Sequence, residues 1–117
     1  MIAFTHELSH EWQRRRVLQE PLLIDDHLDA HHFLLTAADV HGWQVEAACP
    51  VCGGDALHHV MWVYGDNLGR RSGTARSMEE IERLVHEVGP ITVHLVEVCR
   101  HCKWNFLLKE STAVMPR

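Results

Sequence analysis

No apolar run in this chain of 117 residues approaches the roughly 20 residues that a membrane-spanning helix needs. The first residues, Met1-Ile2-Ala3-Phe4-Thr5-His6-Glu7, lack the basic start and long apolar segment of a secretory signal. Together these absences lead us to expect a cytoplasmic protein. There is no low-complexity segment, no polyhistidine tract, and no internal repeat beyond two short cysteine motifs. An excess of positive charge is missing too. The chain has 11 Lys+Arg against 16 Asp+Glu, a net charge of -5 with histidine neutral. Non-specific nucleic-acid binding depends on neutralising phosphates, so the overall charge argues against it.

What is present is an ordinary globular composition, 46% hydrophobic and 23% charged. That argues against disorder, collagen and a disulfide-dense miniprotein. The length has room for one core. Charge is unevenly spread. Residues 1–48 hold three basic and eight acidic residues, whereas residues 49–117 hold eight of each.

Four cysteines form two C-x2-C pairs, Cys49-Pro50-Val51-Cys52 and Cys99-Arg100-His101-Cys102. A tight CxxC turn aims two sulfurs at one point, and two such turns complete a tetrahedron around a metal. Gly53 and Gly54 follow the first turn, where the chain needs freedom to take positive φ. The pattern is that of a zinc ribbon with Cys49, Cys52, Cys99 and Cys102 as Zn2+ ligands. The 46 residues between the pairs exceed the usual 15–20 or so, so they must hold an insertion. Disulfides, a thioredoxin-type dithiol and an iron–sulfur cluster are the competing readings. Four thiolates fill a tetrahedral shell and leave no open position. The expected zinc is therefore a structural staple and not a catalyst.

His6-Glu7-Leu8-Ser9-His10 matches H-E-x-x-H, which in metalloproteases sets two imidazoles on one helix face. The polar residues that follow, His10-Glu11-Trp12-Gln13-Arg14-Arg15-Arg16, do not suit a buried helix. The expected reading is an exposed helix that matches by chance. A metal-dependent enzyme using His6 and His10 is the alternative.

Along the chain, residues 5–19 and 26–41 are predicted as helices. Pro21 ends the first; Asp25 or Asp26 caps the second and Gly42 closes it. The triple arginine 14–16 points in several directions around its helix. Strands are predicted over 44–48, 56–64, 91–98 and 104–108, with a glycine- and arginine-rich loop over 65–77. Ser77 and Glu80 form a capping box that opens a helix with Met78, Ile81, Leu84, Val85 and Val88 on one stripe; Gly89-Pro90 stops it. Residues 111–117 read as a loose tail. The expected fold is α+β. A four-cysteine zinc ribbon over residues 44–117, made of antiparallel hairpins with an inserted helix, is preceded by an N-terminal helical segment over 1–43. The two are expected to pack as one unit.

The residues around the cysteines resemble a family of small actinobacterial proteins catalogued as a domain of unknown function. The likeness rests on Cys49-Pro50-Val51-Cys52, Trp62-Val63-Tyr64-Gly65-Asp66-Asn67-Leu68-Gly69, Ser72-Gly73-Thr74-Ala75-Arg76-Ser77 and Val96-Glu97-Val98-Cys99-Arg100-His101-Cys102-Lys103-Trp104-Asn105. It extends to Arg14-Arg15-Arg16 and Phe33-Leu34-Leu35. The resemblance implies a bacterial cytoplasmic protein with a four-cysteine metal site, and no particular activity.

Three classes of function follow. The first is a non-enzymatic, zinc-stapled interaction module that binds RNA polymerase or its accessory machinery, by analogy with other zinc ribbons. Its expected docking loop carries Arg70, Arg71 and Arg76, opposite in sign to the acidic N-terminal part. The second is direct nucleic-acid binding through that loop with Lys103, Trp104 and Lys109. The third is the histidine-based enzyme.

Overall fold

Alternating and β-branched segments build one antiparallel sheet in the computed structural model, which describes residues 1–116. In chain order the elements are β1 (Ala3–Ser9), α1 (Glu11–Leu18), α2 (Pro21–Asp25), α3 (His32–Val40), β2 (Trp43–Gln44), β3 (Leu57–Tyr64), a 3-10 segment (Asp66–Arg71), β4 (Thr74–Arg76), α4 (Met78–Val88), β5 (Ile91–Cys99) and β6 (Asn105–Val114). The sheet order is β1-β6-β5-β3-β2, and β4 pairs with β3 beyond the end of β2. The fold is α+β, as expected.

The alternation along β3 and β5 assigns helices to faces. Met61, Val63, Ile91 and Val93 pack under Ile81, Leu84 and Val85 of α4. Val60, Val98, Trp62 and Val96 point the other way, toward Ala37, Ala38, Leu34 and Leu35 of α3. Near the cysteines, on the α4 side of the sheet, Leu57, Trp104 and Phe106 meet Val17 and Leu18 of α1. Helix α4 behaves as its stripe predicts. Ser77 Oγ accepts from Glu80 N, and Ser77 N donates to Glu80 Oε1. Burying Ile81, Leu84 and Val85 contributes about 1.5–3 kcal/mol each.

Several expectations are corrected. Residues 5–19 are not one helix, because Ala3–Ser9 is a strand paired with the end of β6 (Phe4 with Ala113, Thr5 with Thr112). For the same reason residues 111–114 are not loose. The two errors share one cause: each segment is stabilised only by the other, and neither has a local signal. The predicted helix over 26–41 is also divided. Pro21 opens α2 at its first position instead of closing α1, and α3 starts at His32, where the His31 ring accepts from Phe33 N. Between α2 and α3 the backbone serves the second cysteine turn: Ala30 N donates to Lys103 O, and Asn105 N donates to His27 O. Those long-range bonds outweigh local helix periodicity. The strand predicted over 44–48 is shortened to Trp43–Gln44. The 65–77 loop contains the 3-10 segment and β4.

Gly42 is required where α3 turns into β2. A Cβ there would lie 2.4 Å from His59 O and 2.7 Å from Ala38 O.

Candidate metal centre

The two cysteine turns have the same backbone. In the first, Gly53 N donates to Cys49 O and Cys49 N to Gly54 O, both at 2.9 Å. In the second, Lys103 N donates to Cys99 O at 3.0 Å and Cys99 N to Trp104 O at 2.8 Å. The residue four positions after each leading cysteine is left-handed, Gly53 at φ 71° and Lys103 at φ 67°. The sequence marks this requirement in the first turn with glycine and hides it in the second under a lysine. No heavy atom lies within 4 Å of a Cβ built on Gly53, so a substitution there meets backbone strain alone. Gly53→Ala is expected to lower stability by about 1–2 kcal/mol, whereas Lys103→Gly is expected to cause no loss. Thermal denaturation of the metal-loaded protein checks both.

Long-range bonds hold the turns face to face. Arg100 N donates to Ala56 O, and Cys99 sits opposite Leu57 in the β3–β5 register. Arg100 also reaches Asp39 of α3 at 3.2 Å. The result brings all four predicted ligands together, their sulfurs lying within 4.8 Å of one another. Cys49 Sγ is 3.7 Å from Cys102 Sγ, and Cys52 Sγ is 3.7 Å from Cys99 Sγ. A disulfide needs about 2.05 Å, so these sulfurs are not bonded. A tetrahedral metal with bonds of about 2.3 Å needs sulfur–sulfur edges of about 3.8 Å. The set therefore fits a metal ion held by four thiolates.

Its electrostatics call for a cation. Burial pushes the Cys102 thiol up to about 12 and raises Cys49 as well. Cys52, the exposed member, is lowered by the backbone N–H of Gly54, which lies 3.4 Å from its sulfur. Without a positive ion the buried pair stays protonated at neutral pH. With one, the backbone donors already point at the sulfurs.

The other predicted site residues are dispersed. Arg71 pairs with Glu87 at 2.6 Å and Arg76 with Glu80 at 3.3 Å, both on α4. Arg70 is exposed. Trp104 is wholly buried and unavailable for stacking on a base. Its indole N–H donates to Glu97 at 2.9 Å. His6 lies on β1 with φ 50°, and His10 caps α1 and bonds Glu110 at 2.7 Å. The H-E-x-x-H motif thus does not lie on a helix, and its imidazoles do not share a helix face. Among the described residues the four cysteines are the one side-chain cluster arranged for a metal.

Sequence reasoning missed the buried pair beside the centre. Glu97 is 3% exposed on the central strand β5. Arg14 holds it with two bonds, Nε to Oε2 at 2.8 Å and Nη2 to Oε1 at 3.0 Å. The available signal was a lone carboxylate inside the β-branched run before Cys99, which cannot be buried without a partner.

The uncharacterized protein Rv0049 of Mycobacterium tuberculosis (strain H37Rv) is similar to this chain. It is 43% identical over 106 residues, covering 87% of this chain and 77% of that protein. The uncharacterized protein Mb0050 of Mycobacterium bovis is similar to the same extent. No solved structure matches the chain. No helix among the described residues is long and apolar enough to cross a membrane. A family of unknown function, DUF5318, matches residues 7–115, and the chain belongs to that family.

Proposed function

We propose that the four cysteines hold one structural Zn2+ in a ribbon-like pair of turns, and that the protein is a cytoplasmic, non-enzymatic interaction module. The observation behind this reading is the closed sulfur set. Four cysteines with their sulfurs 3.7 to 4.8 Å apart leave no coordination position for water or substrate. Zinc suits a tetrahedral all-thiolate shell, which an iron–sulfur cluster would have to enlarge. Metal analysis should find one zinc per chain in a colourless protein. Thiols must lose protons to bind metal, and burial holds Cys49 and Cys102 protonated in the metal-free protein. Zinc affinity is therefore expected to fall with pH, by about tenfold per pH unit for each proton released. A competition titration with a chromophoric chelator at several pH values measures the slope.

The interaction reading is supported by apolar surface on α3. Phe33 is 69% exposed and Val40 65%, and both line an open cleft with Trp62, Ala75 and Arg76. Exposed apolar side chains gathered around one concavity favour a protein partner. For that partner we propose the RNA polymerase machinery, on the analogy of other zinc ribbons alone. The test is a nuclease-treated pull-down from an actinobacterial lysate with the native chain and with a Phe33→Ser/Val40→Ser variant. Near-stoichiometric polymerase subunits that disappear with the variant are expected. Recovery of another complex, or of nothing, overturns the choice of partner.

A further inference from the structure

Helices α1 and α4 cover opposite ends of the same sheet face and leave a gap between them. Two cavities open there, of about 350 Å³ and 170 Å³, and they share Leu95 and Lys109 in their walls. Together they fall in the roughly 300–1,000 Å³ range of small-molecule sites. The smaller is apolar, walled by Phe4, Trp43, Met61, Met78 and Val93. The larger holds Ser9, Arg14, His59 and Glu97.

The hydrogen-bonding capacity in the larger cavity is one-sided. Both oxygens of Glu97 are occupied, by Arg14 and by the Trp104 indole. Ser9 Oγ already accepts from Glu11 N at 3.3 Å. Donors remain unspent: the Nη1 of Arg14, the hydroxyl of Ser9 and two N–H of Lys109. His59 is half-buried with its ring facing this cavity, and burial favours its neutral form. Two further carboxylates border the gap. Glu7 meets Lys109 at 3.4 Å, and Glu11 is exposed and turned to Arg15. Only Glu7 competes for a donor of the site.

We propose that this gap binds a small amphipathic carboxylic acid, its carboxylate on Lys109 and Arg14 and its apolar body between Trp43, Met61 and Leu95. The site is separate from the α3 cleft, so it stands or falls independently of the partner proposed above. Donor-rich polar walls select an acceptor-rich head group, and the adjoining slot excludes a short hydrophilic anion such as acetate.

Octanoate, octanol and acetate are the probes, titrated into the zinc-loaded full chain and followed by amide and indole proton–nitrogen NMR. Octanoate is expected to shift Leu95, Lys109 and the Trp43 indole in a saturable way. Octanol and acetate should bind at least about tenfold more weakly. Lys109→Met should weaken octanoate by about tenfold, and Glu7→Gln, which removes the competing acceptor, should tighten it several-fold. Both changes are at partly exposed positions and leave the core intact. No saturable shift at millimolar octanoate overturns the proposal. So does equal binding of octanol, or an octanoate affinity indifferent to Lys109→Met.

Discussion

A Cys99→Ser variant is expected to purify without metal and to melt about 10 °C or more below the native chain. Cys99 is wholly buried at the end of β5, against Leu57, Trp104 and Phe106. Serine would remove one thiolate from the shell and leave a hydroxyl in an apolar cluster. Metal binding free energy is folding free energy, on the order of 10 kcal/mol in the smallest zinc-stapled domains. Here two other clusters, under α3 and α4, contain no cysteine. A partial loss, about 3 kcal/mol or more, is therefore expected. Cys52→Ser should abolish stoichiometric metal as well but cost less stability, since Cys52 is exposed and leaves no buried hole. Differential scanning calorimetry with metal analysis measures both. A Cys99→Ser protein with native melting temperature would remove the staple from the proposed function.

The elements legible in the sequence were those whose signals are local. The C-x2-C turns are written in two residues each, and their meeting follows because each alone supplies half a tetrahedron. Helix α4 carries its own cap, stripe and stop, and β3 and β5 are runs that read as strands without their neighbours. What was not legible was non-local. Strand β1 exists because β6 extends to Val114, and β6 extends that far because β1 is there. The break between α2 and α3 exists because the backbone of His27 and Ala30 is claimed by Asn105 and Lys103. The same applies to the arginines. Within Arg14-Arg15-Arg16 only Arg14 turns inward, and nothing in the triplet distinguishes it. Likewise nothing in the 65–77 segment announces that Arg71 and Arg76 are committed to Glu87 and Glu80. Patterns of period reveal which face is buried. They do not reveal which charge on the margin is drawn under it.

Replacing Arg14 with methionine is expected to destabilise the protein by about 3–5 kcal/mol, although the residue sits on a polar helix with no fully buried side chain. The cost arises at its partner. The Glu97 side chain is 4% exposed, and Arg14 supplies both of its charge-assisted bonds. Removing the guanidinium leaves a carboxylate under α1 with the Trp104 indole as its remaining donor. An unpaired buried charge is far more expensive than an intact pair is favourable. The rescue is therefore specific. Adding Glu97→Gln to Arg14→Met removes the charge but keeps an oxygen for the indole N–H, and should recover at least about half of the loss. Urea unfolding of the two single variants and the double variant gives the coupling directly. If Arg14→Met alone costs less than about 1 kcal/mol, the pair is a surface contact and not a buried one. The effect should also reach the metal. Trp104 closes the second cysteine turn, its carbonyl accepting from Cys99 N at 2.8 Å, and Glu97 lies two residues before Cys99 on the same strand. Loosening the Glu97–Trp104 bond frees the turn that presents two of the four sulfurs. Zinc should then leave the Arg14→Met protein faster than the native chain in the presence of a chelator, and the double variant should restore the slow rate together with the stability.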